Sequence, residues 1–174
     1  MDKNRINCTD DPMFEYVWKI YNYSFPACER RTIEHQKQAF NSPFYSLVYF
    51  KDKGEVVGFV GYWEFDEYLY IEHIAINKSC RGGGYGSKIL REIQAATDKI
   101  IILEIDEVVD EVSERRLRFY ERAGFTRNHY KHKGHIYREE EIVPMLEILT
   151  YPEAINVEIY NGFDSDLRNI VMKK

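Results

Sequence analysis

The sequence has no apolar run approaching the roughly 18 residues of a membrane-crossing helix, and its opening stretch MDKNRINCTDD is too polar for a secretory leader. Cysteine is scarce. Cys8, Cys28 and Cys80 are odd in number and lack CxxC spacing, which argues against a disulfide framework and predicts free thiols in a reducing compartment. A basic excess is also missing: 24 Lys and Arg stand against 29 Asp and Glu, a formal charge of −5, whereas nucleic-acid binding needs a basic footprint. No linker or repeat divides the 174 residues, so they predict one soluble, cytoplasmic domain over 1–174 with a small or cationic partner.

What the chain does have is concentrated between Tyr68 and Glu92, where an apolar strand, a glycine cluster and an amphipathic helix follow in succession. Gly82, Gly83, Gly84 and Gly86 carry no Cβ, so backbone N–H groups at the first turn of the helix can approach a ligand closely. Those N–H groups and the helix dipole favour phosphate. A mononucleotide loop, GxxxxGK[ST], does not fit, because Ser87 and Lys88 stand where its second glycine belongs. A dinucleotide fingerprint, GxGxxG, begun at Gly82 would put its third glycine on Ser87.

The pattern that fits is R-x-x-G-x-G, Arg81 to Gly86, which resembles the pyrophosphate-binding signature of the GNAT superfamily of acetyl-CoA-dependent N-acetyltransferases. A second block, Ser113 to Phe125 (SERRLRFYERAGF), resembles the family's N-x-x-A-x-x-L-Y-x-x-x-G-F. Tyr120, Gly124 and Phe125 match, while Ser113, Arg116 and Phe119 replace the usual Asn, Ala and Leu. The resemblance extends over roughly Phe44 to Tyr151. It implies an α/β (α+β) GNAT fold: a central mixed, mostly antiparallel sheet flanked by helices, with a splayed parallel strand pair at the coenzyme site.

The periodicity agrees. Helices are predicted over Pro12–Tyr23, capped by Asp10 or Asp11, and over Thr32–Phe40; strands over Phe44–Phe50, Val56–Trp63 and Tyr68–Ile76 follow. The helix after the glycines buries Tyr85, Ile89, Leu90 and Ile93. KIIILEI, Lys99 to Ile105, reads as a strand buried on both faces and parallel to its predecessor. Ser113 is the candidate cap and Gly124 the candidate stop of the next helix, and strands over Phe125–Tyr137 and Met145–Tyr151 complete the set. Residues 152–174 form a C-terminal extension in which Ile155, Val157 and Ile159 alternate like a strand and Asp164 or Ser165 could cap a helical turn; it is free to cover an edge or pair with a second copy in a homodimer.

By resemblance, Ile74, Ala75 and Ile76 meet the pantetheine arm and thioester, and Arg81, Gly82, Gly83, Gly84, Tyr85, Gly86 and Ser87 cradle the pyrophosphate, with Ser113 and Tyr120 completing the coenzyme site. Tyr120 matches the tyrosine beside the coenzyme sulfur; an ordinary pKa near 10 would let it protonate a departing thiolate in near balance. Glu72 is the candidate base, because a carboxylate in the apolar strand YLYIEHIAI needs a reason to be there and burial would raise its pKa. Strand parity places Glu72 with Ile74 and Ile76, and His73 on the opposite face as a structural residue.

Glu104 and Asp106 share a face of the next strand and, with Glu72, either form an acidic pocket for a cationic amine or meet the arginines at 115, 116, 118 and 122. His129, His132 and His135 invite a metal reading, but their spacing and the interleaved Lys131 and Lys133 favour a solvated basic hairpin, so no metal is expected. The resemblance implies transfer of an acetyl group to a primary amine of a small molecule or peptide. Its rivals are a protein N-terminal or lysine acetyltransferase and a non-catalytic acyl-CoA-binding module.

Overall fold

The computed structural model describes residues 1–135, 137 and 143–173. Among the described residues, seven strands form one sheet in the order β1-β2-β3-β4-β5-β7-β6. They are β1 (Asp2–Ile6), β2 (Tyr45–Asp52), β3 (Glu55–Glu64), β4 (Tyr68–Ile76), β5 (Ile100–Asp106), β6 (Thr126–Lys133) and β7 (Met145–Tyr151). Only β4 and β5 pair in parallel; the other neighbours are antiparallel. Helices α1 (Phe14–Ser24), α2 (Ile33–Phe40) and α5 (Val157–Asp166) cover one face, α3 (Tyr85–Ala95) and α4 (Glu111–Arg122) the other. No helix among the described residues is long and apolar enough to cross a membrane.

Each face has its own apolar cluster, and the alternation of the strands decides which side chain joins which. Tyr68 and Tyr70 enter the α1/α2/α5 side, Leu69 and Ile71 the α3/α4 side. α3 buries Ile89, Leu90 and Ile93 as its periodicity requires. Gly58 lets β3 lie close to β4, since a Cβ there would stand 2.5 Å from the Ala75 carbonyl oxygen. Gly58→Ala should therefore lower stability by about 1–3 kcal/mol. Gly162, inside α5 with nothing within 4 Å of a built Cβ, is the opposite case: Gly162→Ala should raise it by about 1 kcal/mol. Urea denaturation of the two variants distinguishes these outcomes.

Several expectations need correction. β1 was not foreseen, because Asp-Lys-Asn-Arg-Ile buries only Ile6; it is a charged edge strand, the kind that resists pairing with another chain. α1 begins at Phe14 after Met13, and Asp11 contributes by accepting the Met13 N–H at 2.8 Å. α4 is capped by Asp110, with Ser113 as the third helical residue of a reciprocal capping box. β6 ends at Lys133, short of Tyr137, and residue 136 lies outside the described residues.

The largest correction is the C-terminal extension. It forms α5, capped by Asn156, and then a wider π turn over Leu167–Val171. Phe163, Leu167 and Val171, spaced by four, line one helical face and are 1%, 2% and 5% exposed, whereas Ile155, Val157 and Ile159 do not act as a strand. Phe163 meets Tyr70 edge-on at 5.1 Å, and Tyr68 donates to Asp166. The extension is part of the core.

Candidate active site

β4 and β5 are paired only from Tyr68↔Ile100 to Ile71↔Leu103. Beyond that, β4 stays with β3 as far as Ile76 and β5 stays with β7 as far as Asp106, so the two strands part. The split opens a cavity of about 510 Å³. Along its walls run Ile74, Ala75 and Ile76 from β4, Glu104 and Asp106 from β5, Tyr120 and Arg116 from α4, Arg81 from the glycine loop, and Glu29 from the turn between α1 and α2.

The glycine loop at one end is built for close approach. Gly82 and Gly84 have φ of +81° and +73°, the left-handed region that an L side chain adopts only with strain. Gly84 is the N-cap of α3 and offers no side chain to its first turn, leaving those amides for an anion. Gly86 admits α4, since a Cβ there would come within 3.0 Å of the Phe119 ring. An unpaired strand edge for an amide-bearing arm, leading to a bare helix start for a pyrophosphate, suits acetyl-CoA. Tyr85 turns aside from this cradle, its hydroxyl donating to Asp52 at 2.8 Å. The Ser113 hydroxyl is occupied within the cap, bonding to Asp110 and to the Val109 N–H.

Tyr120 is 8% exposed, its ring set edge-on to Phe119 and Phe125. Burial raises its pKa to about 12, partly countered by Arg116, so the phenol stays protonated well past neutrality and is a weaker acid than the near-balanced donor expected.

Glu72 departs most from expectation. The β3–β4 register shifts at this point: Ile71 lies opposite Tyr62 and His73 opposite Gly61, so Glu72 is an extra, bulged residue. Past the bulge the parity reverses. Glu72 thus shares a side with His73 and Ala75, while Ile74 and Ile76 join the α3/α4 cluster. There Glu72 accepts from Arg31 at 2.5 Å, from the Trp63 indole at 2.7 Å and from the Tyr137 hydroxyl. Burial alone would raise its pKa, but the Arg31 guanidinium, His73 and these donors override it and hold the carboxyl below its usual range. The His73 Nε2–H donates to the Glu29 carbonyl at 3.0 Å, fixing that turn, and burial keeps the imidazole below its ordinary pKa.

Glu104 and Asp106 both reach the cavity and both have partners. Glu104 accepts from Tyr70 and from His132 at 2.5 Å, and Asp106 pairs with Arg116. His132 is therefore not part of a solvated basic hairpin: it is fully buried and also meets Tyr160 at 3.2 Å, although His129 is exposed as expected. Among the described residues no group of three or more His, Cys, Asp or Glu is placed to hold a metal. Glu29 was missed by sequence reasoning; in a short turn after Pro26 it carries no periodic signal. Burial raises its pKa, and so do Asp106 and Glu104, against a lowering by Arg116.

The model of the acetyltransferase (GNAT) family matches residues 11–125. The chain belongs to this family. YjbC of Bacillus subtilis (strain 168), by its name a proposed acetyltransferase, is 31% identical over 140 residues, covering 75% of this chain and 67% of its own length. A GNAT-family structure from Bacteroides thetaiotaomicron superposes with a TM-score of 0.91 at 28% identity, covering the whole of both chains. A GNAT acetyltransferase from Elizabethkingia anophelis with acetyl-CoA bound shares the fold at a TM-score of 0.59 and 16% identity, over 86% of this chain and 95% of its own. Within the GNAT fold, the split between β4 and β5 and the loop Arg81–Ser87 are the places that fit the acetyl donor.

Proposed function

We propose that this acetyltransferase moves the acetyl group of acetyl-CoA directly to a primary amine of a small molecule or peptide in a ternary complex. The observation that carries the reading is the group of carboxylates in the cleft: Glu29, Glu104 and Asp106 line the cavity where β4 and β5 part, together with Tyr120. Glu29 makes no ion pair among the described residues and is the carboxylate there best placed to meet an ammonium group, since Glu104 is bonded to Tyr70 and His132 and Asp106 to Arg116. The bound thioester supplies an activated acyl carbon. The edge of Ile74–Ile76 that β5 no longer pairs is suited to align the arm and polarise the carbonyl, and orientation of the amine does much of the work.

As the C–N bond forms and the C–S bond breaks, one proton leaves the amine and one reaches the sulfur. Tyr120 is the donor to sulfur. Glu72 is poorly suited to accept the amine proton, since its oxygens already serve Arg31, Trp63 and Tyr137 and its pKa is lowered. In this reading it positions Arg31 and Tyr137. Glu29, whose pKa is raised, is the better proton acceptor. Glu29→Gln should lower turnover about 10–100-fold and remove the acidic limb of the pH–rate profile, which in the unmodified enzyme rises as Glu29 deprotonates. An unchanged profile would strike Glu29 from the role.

Phe25, Pro26, Pro144 and Leu146 also line the recess. Its volume suits a small amine or the end of a peptide better than a broad protein surface.

A further inference from the structure

A second cavity, of about 450 Å³, adjoins the first. Tyr137 and Met172 line both and form the partition between them. The second cavity is otherwise walled by Arg31 just before α2, by His35 and Ala39 of α2, by Trp63 of β3, and by Ile170 and Val171 of the C-terminal turn. Among the described residues, no carboxylate lines it.

Two buried polar atoms in this wall have no hydrogen-bond partner among the described residues: Nη1 of Arg31 and Nδ1 of His35. Arg31 is 3% exposed. Its Nη2 is bonded to Glu72, and its guanidinium is boxed by the rings of Tyr45, Trp63 and Tyr137 at 5.0, 5.4 and 5.1 Å, so the group cannot swing out to water. A fixed guanidinium N–H with no acceptor is costly unless something supplies one. Because a guanidinium only donates, the missing partner is an oxygen, and a carboxylate is the strongest such acceptor. The apolar walls from Ala39, Trp63, Ile170 and Val171 fit a hydrocarbon or aromatic body attached to it.

We propose that this cavity binds a small carboxylate with an apolar body, its anionic end on Arg31 and His35. The carboxylate belongs either to the acceptor, reaching past Tyr137 from the cleft, or to a separate ligand. In both cases it engages the same Arg31 that holds Glu72 in the wall of the acetyl-transfer cleft.

Benzoate, its neutral analogue benzamide and phenylalanine are the probes, titrated into the full chain by calorimetry and by NMR. Saturable benzoate binding is expected, with shifts at Ala39, Ile170 and the Trp63 indole. Benzamide should bind at least about tenfold more weakly, since it lacks the charge that strengthens bonding to a guanidinium. Ile170→Phe, which narrows the cavity and leaves Arg31 and Glu72 in place, should weaken benzoate by a similar factor. Phenylalanine separates the two sources: shifts that extend across Tyr137 to Ala75 identify the acceptor's own carboxylate, and shifts confined to the second cavity identify a separate ligand. The proposal is overturned if benzoate at millimolar concentration shifts none of these residues, if benzamide binds as well, or if Ile170→Phe has no effect. None of these measurements depends on acetyl transfer, so they fail or succeed independently of the proposed reaction.

Discussion

Tyr120→Phe is expected to slow acetyl transfer about 10²- to 10⁴-fold, the usual worth of a positioned proton carrier, while acetyl-CoA affinity stays within about twofold. The substitution deletes one oxygen and keeps the ring that packs between Phe119 and Phe125. No hydrogen bond contributes to the hydroxyl's raised pKa, which comes from burial, so the fold should lose little when the hydroxyl goes. Stability within about 0.5 kcal/mol, read by denaturation, would separate a chemical role from a packing one. With a pKa of about 12, Tyr120 should also impose no alkaline decline on turnover at pH 9 or 10. Unchanged turnover in the variant would remove Tyr120 from proton transfer.

The second large effect is on stability. Arg31 and Glu72 have side chains only 2% and 5% exposed, and each neutralises the other. Arg31→Met should cost about 3–5 kcal/mol, because Glu72 is left as an uncompensated buried charge. Adding Glu72→Gln, neutral and able to accept from the Trp63 indole through its carbonyl oxygen while its amide donates to the Tyr137 hydroxyl, should recover most of that loss. The pair also fixes a pH dependence. The folded-state pKa of Glu72 lies below the unfolded value near 4.5, so its contribution is fully present above pH 4.5 and is lost as pH falls from there through the lowered folded value. The double variant should lack this acid-sensitive component. Urea denaturation at pH 7 and at pH 4 measures both effects.

Much of this architecture was legible in the chain because it rests on local rules. The glycine loop and the apolar run of β5 each announce themselves by composition at short range, whereas Tyr120 and the split between β4 and β5 were expected only from the resemblance to the GNAT superfamily. What was hidden depends on long-range pairing. The bulge at Glu72 leaves no mark in YLYIEHIAI, yet one inserted residue reverses the parity of everything after it, bringing Glu72 to Arg31 and exchanging the sides expected for His73 and Ile74. Arg31 itself reads as one polar residue among several before α2; only the fold brings it 41 positions along the chain to Glu72. In the C-terminal extension a signal was available, the spacing of four between Phe163, Leu167 and Val171, but the weaker alternation of Ile155, Val157 and Ile159 competed with it. His132 was misread because its partner Glu104 lies on another strand.

The central claim, acetyl transfer to a cationic amine at the split between β4 and β5, is tested most directly by incubating the protein with isotope-labelled acetyl-CoA and a metabolite extract and following the label by mass spectrometry, with Tyr120→Phe alongside. The account predicts labelled N-acetyl products of small amines or peptides, strongly reduced with the variant. Label found only on proteins, or no labelled product from a preparation shown to bind acetyl-CoA, would contradict it.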